Sequence, residues 1–338
     1  MASEPEAAAA ALLDGLTLDG LLSAMASARG HEVALRDPPG RADWSEASTG
    51  SLSFAELDRR VRALAGLLAT NHAQPGSAVA ILAPMGPELI VSILACLRAG
   101  LSPLPLPPHA QEDEVLALAE MSGATLALGM ASVGAVKPLL TLRAVALRSF
   151  SIRFVGGFGR DIPDGVAALD PLLSGQALHP VPPGVVRPPL LIGGSAEPPV
   201  LTALPERPLL AAALALSQSM KPLASARIVT TLVGSDLAAL ASGPAMALLT
   251  GVELLPLGLF DLGDLRACIA SGRATHLVIP GAFEPALATS RLAWNPTLES
   301  LIVVHRGGER ALPEIDRPDL TIVDVRADGP TRLTIERR

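Results

Sequence analysis

Residues 191–204 read LIGGSAEPPVLTAL, and the stretch opens with residue types that suit a phosphate. Gly193 and Gly194 would let backbone N–H groups approach an anion closely, and the Ser195 hydroxyl adds a donor. The residues after Ser195 do not suit an anion. Glu197 brings negative charge, Pro198 and Pro199 bring no N–H, and no lysine is present. Two like charges ~4 Å apart at an effective dielectric of ~20 repel by roughly 4 kcal/mol, about a thousandfold in affinity. Ser195 also makes a poor hydrolase nucleophile, because GGSAE is not the Gly-x-Ser-x-Gly elbow and no ordered Asp and His partners come after it.

The remaining candidates offer less. The six histidines (His31, His72, His109, His179, His276 and His305) show no i,i+4 pairing and no cysteine companions, so no metal site is expected. His276, inside THLVIPG, could border a pocket but reads better as a satisfied, partly buried histidine. Residues 156–159, GGFG, have no lysine and no amphipathic helix after them, and read as a turn. Cys96 and Cys268 each sit in an apolar helical stretch and read as buried reduced thiols.

These residues must be positioned by a chain of 338 residues, enough for one large or two moderate domains. At 49% hydrophobic and 17% charged it is expected to fold rather than stay disordered. A net charge of −7, scattered Arg and Lys and 2% aromatics argue against a nucleic-acid partner. The acidic N-terminus is unlike a signal peptide, and the greasiest stretch, 237–252, is too short for a membrane span. A cytoplasmic location is the expectation.

Strand and helix patterns alternate along the chain. Ser53 and Glu56 form a predicted capping box, after which Leu57, Val61, Leu64 and Leu68 recur at helical spacing and leave Asp58, Arg59 and Arg62 toward solvent. SAVAIL (77–82) reads as a buried parallel strand, and GPELIVSILACLRAG (86–100) as a helix with Pro87 in its first turn. LSPLPL, EDEVLALAEMSG and ATLALG continue the alternation. PVPPGVVRPP (180–189) reads as a joint, after which strands and helices resume to the end. The predicted fold class is α/β, with two mainly parallel β-sheet subdomains flanked by helices. The expected divisions are a flexible tail over 1–16, a first subdomain over 17–185 and a second over 186–338.

Residues 52–108 resemble the opening of the AMP-forming, adenylate-forming ligases, which include acyl-CoA synthetases, fatty acyl-AMP ligases and peptide-synthetase adenylation domains. The resemblance rests on LSFAELDRRV, then PGSAVAIL, then ACLRAGLSPLPL, in that order and spacing. It continues through IRFVGGFGRDIPDGVAALD, ATHLVIPGAFEPALA and LESLIVVHRGGERALPEI. The resemblance implies the fold of the large N-terminal domain of these enzymes. It also implies an adenylation chemistry in which backbone N–H groups, a cation and Mg²⁺ bring a carboxylate and ATP together.

The family's phosphate loop has the form Ser/Thr-Ser-Gly-Ser/Thr-Thr-Gly-x-Pro-Lys-Gly. Gly194, Ser195 and Pro199 match it, with Gly193 before them. Ala196 replaces a hydroxyl, Glu197 a glycine, Val200 the lysine and Leu201 the last glycine. A second motif, aromatic-Gly-x-Thr-Glu, is matched by Gly329 and Thr331, whereas Asp328 replaces the aromatic residue and Arg332 the magnesium-binding glutamate. Gly307 and Gly308 fall where the family has backbone near the adenine. The family's ribose-binding aspartate, hinge and C-terminal domain with its catalytic lysine find no counterpart before Arg338.

The resulting expectation is a pseudoenzyme: no catalytic residue, no metal, and neither ATP, AMP nor Mg²⁺ as cofactor. Its implied role is a partner or scaffold in acyl, fatty-acid or carrier-protein metabolism, docking on an active ligase, an acyl carrier protein or itself. Two alternatives stand beside it: a ligase half completed by a separate polypeptide, and a binder of acyl chains or acyl adenylates.

Overall fold

The computed structural model describes residues 13–45, 50–71, 74–174, 187–194, 199–306 and 315–338. Leu18–Arg29 (α1) is capped by Thr17, whose hydroxyl accepts from the Gly20 N–H. Leu13 is already buried, so packing begins inside the expected 1–16 tail. Val33–Arg36 (β1), Arg41–Trp44 (α2) and Ser51–Ser53 (β2) lead to Phe54–Thr70 (α3). Only half of the expected capping box forms. Ser53 Oγ accepts from the Glu56 N–H at 3.2 Å, while the Glu56 carboxylate turns to Arg59 and Arg60 at 2.7 and 3.0 Å. Charge-assisted bonds outcompete a bond to a backbone amide. Asp58, expected on the solvent side, is buried instead, against Arg98 at 2.9 Å and Arg62 at 2.8 Å. The pair with Arg98 ties α3 to Pro87–Arg98 (α4).

Ala78–Leu82 (β3), Ser102–Leu106 (β4), Ala124–Met130 (β5), Phe154–Phe158 (β6) and Ala167–Ala168 (β7) form a parallel sheet in the order β4-β3-β5-β6-β7. Pro103 and Pro105 are tolerated because β4 is an edge strand. Glu112–Ser122 (α5) and Pro138–Arg148 (α6) cover one face, packing Val115, Leu118, Leu142 and Val145 with Ala80, Leu82 and Ala127. Residues 156–159 are not the expected turn, since Gly156, Gly157 and Phe158 belong to β6. The glycines there make room for neighbours. A Cβ on Gly156 would lie 3.1 Å from Leu169, and one on Gly157 would lie 2.4 Å from Leu139. Asp170–Ser174 (α7) closes this half.

Leu190–Gly194 (β8) and Val200–Leu204 (β9) pair antiparallel as a separate hairpin, followed by Glu206–Met220 (α8). Arg227–Thr230 (β10) precedes one helical stretch built from Leu237–Leu240 (α9), a π-turn over Ala241–Ala245 and Met246–Thr250 (α10). The wider π-turn accommodates Pro244, which has no N–H to give the helix. Glu253–Pro256 (β11), Leu262–Ala270 (α11), His276–Pro280 (β12), Glu284–Thr289 (α12), Ser300–Arg306 (β13), Thr321–Ala327 (β14) and Leu333–Arg337 (β15) complete the order.

The second sheet has eight strands in the order β15-β14-β13-β12-β10-β11-β1-β2, parallel except for β2 and β15 at its two edges. β1 and β2 therefore leave the expected first subdomain. Leu35 pairs with Leu254, so a division at 185/186 does not match sheet membership. The proline-rich stretch 180–189 suggested the division, but the buried Ala34 and Leu35 lie on a strand that pairs in the far sheet. Between the sheets lies one core to which α3, α4, α8, α9 and α10 contribute Leu57, Leu64, Ile90, Leu94, Leu216, Leu240 and Leu248. α11 and α12 cover the outer face of the large sheet with Leu265, Cys268 and Leu287. Helix and sheet layers alternate, as the sequence pattern required.

Candidate functional site

In open parallel sheets, ligands bind outside the carboxyl ends of the strands. β13 and β14 run in register to their ends, where Arg306 pairs with Ala327, so these two strands finish side by side. Gly307 and Gly308, next in the chain after Arg306, lie outside the described residues, as do Ser195 and Glu197.

Residues 328–332 form the turn between β14 and β15. Gly329 has φ +119, a conformation that favours glycine, and the Asp328 N–H donates to the Arg332 carbonyl at 3.1 Å. Asp328 Oδ2 accepts from Thr334 Oγ1 at 2.5 Å. Thr331 and Arg332 are exposed. The resemblance implies a magnesium-binding glutamate at position 332; this chain has an exposed guanidinium there.

The glycine-rich stretch belongs to a different sheet. Gly193 and Gly194 end β8, and Gly194 faces Val200 across the hairpin. A Cβ on Gly193 would lie 2.9 Å from Leu118 on α5 and 3.2 Å from Leu106 on β4, so this glycine already serves packing against the smaller sheet. Pro199 precedes β9. Val200 is 50% exposed, and Leu201 packs against the cluster beneath α5. At the position where the resemblance implies an ammonium, the hairpin presents the isopropyl group of Val200. Neither Val200 nor Arg332 is the residue type that the resemblance implies for holding a triphosphate and Mg²⁺. Among the described residues, no three His, Cys, Asp or Glu side chains gather to hold a metal.

Sequence reading missed a charged chain along β13 and β14. His305 Nε2 meets Asp324 Oδ1 at 2.8 Å, and Asp324 also takes the Arg338 guanidinium at 2.6 Å. Arg338 in turn grips the fully buried Glu284 with bonds of 2.5 and 2.9 Å. Burial works to raise the Asp324 pKa, but Arg338 and His305 outweigh it and hold the carboxyl below its usual range. Next to this chain, Arg306 reaches Asp236 at 2.5 Å, and Asp236 caps α9 by accepting from the Ala239 N–H. Spacing could not reveal these partners. His305 and Asp324 are 19 residues apart and meet only through strand pairing.

A second missed cluster joins the two sheets. Arg41 is buried over the Trp44 ring at 4.3 Å and pairs with Glu88 at the start of α4 at 2.5 Å. Burial pushes the Glu88 carboxyl up, although Arg41 opposes it. The Gly40 N–H donates to Asp264 of α11 at 2.7 Å. His276 has a hydrogen-bond partner as expected, but it is buried more deeply than the partly buried side chain the sequence suggests. It is 1% exposed, contacts Thr275 Oγ1 at 2.9 Å, and burial lowers its pKa to about 4.

Comparison with known proteins places this geometry. Residues 24–151 match the family of AMP-binding enzymes. Novobiocin biosynthesis protein H of Streptomyces niveus is 28% identical over 84% of this chain and 46% of its own length. The apo structure of MbtA from Mycobacterium smegmatis shares the fold with a TM-score of 0.77 at 20% identity, over 95% of this chain and 58% of that one. The N-terminal subdomain of NpsA from Klebsiella oxytoca, solved with 3-hydroxybenzoyl-AMSN, has a TM-score of 0.71 at 19% identity, over 95% and 75%. The chain spans less than half the length of the curated relatives it matches. The fold is that of the N-terminal domains of AMP-forming ligases.

Proposed function

We propose that this chain is an adenylate-forming-ligase-type domain that does not itself form adenylates and acts as a protein partner in acyl metabolism. One observation carries the reading: Val200, half exposed on β9, stands where the resemblance requires the phosphate-binding lysine. Arg332 agrees with it, because a cation at the magnesium-binding position repels the metal that must shield ATP. Glu197 adds a like charge to the same loop. Each change acts in one direction, against a triphosphate.

The retained fold and its core are what such a protein would offer to an active ligase, a carrier protein or a second copy. Carboxylate-dependent exchange of pyrophosphate into ATP tests the proposal. No exchange above the protein-free rate is expected with any of a panel of aliphatic and aromatic acids. Because the NpsA subdomain is solved in complex with 3-hydroxybenzoyl-AMSN, the same panel includes that compound and an acyl-adenylate analogue, read by calorimetry. Exchange overturns the proposal, and analogue binding without exchange redirects it to an adenylate-binding protein.

A further inference from the structure

The whole-chain charge hides a local one. From Met121 to Arg160 there is no Asp or Glu, while Lys137, Arg143, Arg148, Arg153 and Arg160 fall in the same forty residues of a chain whose net charge is −7. α6 lies inside this stretch. Its inner face, with Leu139, Leu142 and Val145, is buried on the smaller sheet. Its outer face carries Leu140, Arg143 and Leu147, spaced three and four residues apart on one stripe. Leu147 is 81% exposed and Phe150, just past the helix end, is 99% exposed.

Single exposed apolar residues are ordinary on protein surfaces. An apolar stripe interleaved with cations on one helix is not, and it matches how amphipathic helices lie in a bilayer interface. The neighbouring α5 carries the acids Glu112, Asp113, Glu114 and Glu120. Glu112 and Asp113 both take Arg148, at 2.8 Å each. Among the described residues, no ion pair involves Lys137, Arg143 or Arg153. Phe150 and Leu147 supply apolar groups to insert, and these three cations supply attraction to acidic headgroups.

We propose that the outer face of α6, with Leu140, Leu147 and Phe150 ringed by Lys137, Arg143 and Arg153, docks this protein reversibly on an anionic lipid surface. It does so peripherally; no described helix is long and apolar enough to cross a membrane. Charge complementarity selects the bilayer, and the proposal is independent of the nucleotide loop.

Flotation of the full chain with vesicles of phosphatidylcholine containing about 30 mol% phosphatidylglycerol tests it. Binding is expected with these vesicles at about 0.1 M salt, with little on pure phosphatidylcholine and much less at about 0.5 M salt. Arg143→Gln with Arg153→Gln is expected to weaken binding about tenfold or more, since each cation near such a surface is worth roughly fivefold. Leu147→Ser with Phe150→Ser is expected to abolish it. All four side chains are exposed, and a thermal midpoint unchanged from the parent shows that the variants fold. No binding to the anionic vesicles, or binding unaltered in both variants, overturns the proposal. Capture by an acidic polypeptide such as polyglutamate without vesicle binding also overturns it, in favour of a protein partner.

Discussion

His276 shows how burial alone sets a side chain's chemistry. Lying at the start of β12 among apolar neighbours, it is held neutral, with a pKa near 4 against an ordinary value near 6.5. A base whose folded pKa is depressed contributes stability above its unfolded pKa and loses it as pH falls through that value. Unfolding free energy should therefore drop by up to about 3 kcal/mol between pH 6.5 and 4 from this residue. In His276→Leu that slope should flatten, as read by urea titration across the range. Asp58 makes the complementary case. Its burial against Arg98 was not legible, because a helical wheel places it beside Arg59 and Arg62 and cannot foresee a cation arriving from α4. Asp58→Ala should cost about 2 kcal/mol, since the largely buried Arg98 loses its 2.9 Å carboxylate and keeps only the more distant carboxylate of Asp19, at 3.8 Å. An equilibrium denaturation midpoint within error of the parent would refute that assignment.

Elements were legible where their pattern was local. The helix after Ser53, the strand 77–82, the helix after Pro87 and the β-α alternation all appear as read, because apolar spacing and caps act within a few residues. Sheet membership was not legible. β1 and β2 are short, and only pairing with β11 on the far sheet decides where they belong. GGFG misled because glycine signals a turn when chain reversal needs it, yet here it serves close packing of Leu139 and Leu169 on β6. Of the candidate site, the departures at Val200 and Arg332 were visible in sequence, whereas the His305–Asp324–Arg338–Glu284 chain required the strands to be paired. At the same edge, Asp236 has two roles that substitution can separate. Asp236→Ala should lose the α9 cap and cost about 1 kcal/mol, whereas Asp236→Asn keeps the cap acceptor and should stay near the parent, because an exposed pair with Arg306 contributes little. Thermal midpoints of the two variants check this ordering.

At the scale of the whole molecule, the layers are held by apolar cores, so under the proposed function the architecture would persist without an adenylation reaction. The helices between the sheets bury Leu57, Leu94 and Leu216, and the Arg41–Glu88 pair fastens α2 of one sheet to α4 of the other. None of these depends on a nucleotide. The phosphate-binding residues in the resemblance all belong to this domain, so the central claim can be tested on this chain alone. Calorimetric titration with ATP and Mg²⁺ is the most direct measurement. The account predicts no saturable binding up to millimolar ATP, about −4 kcal/mol at the weakest limit of interest. Micromolar binding that requires Mg²⁺ would contradict it.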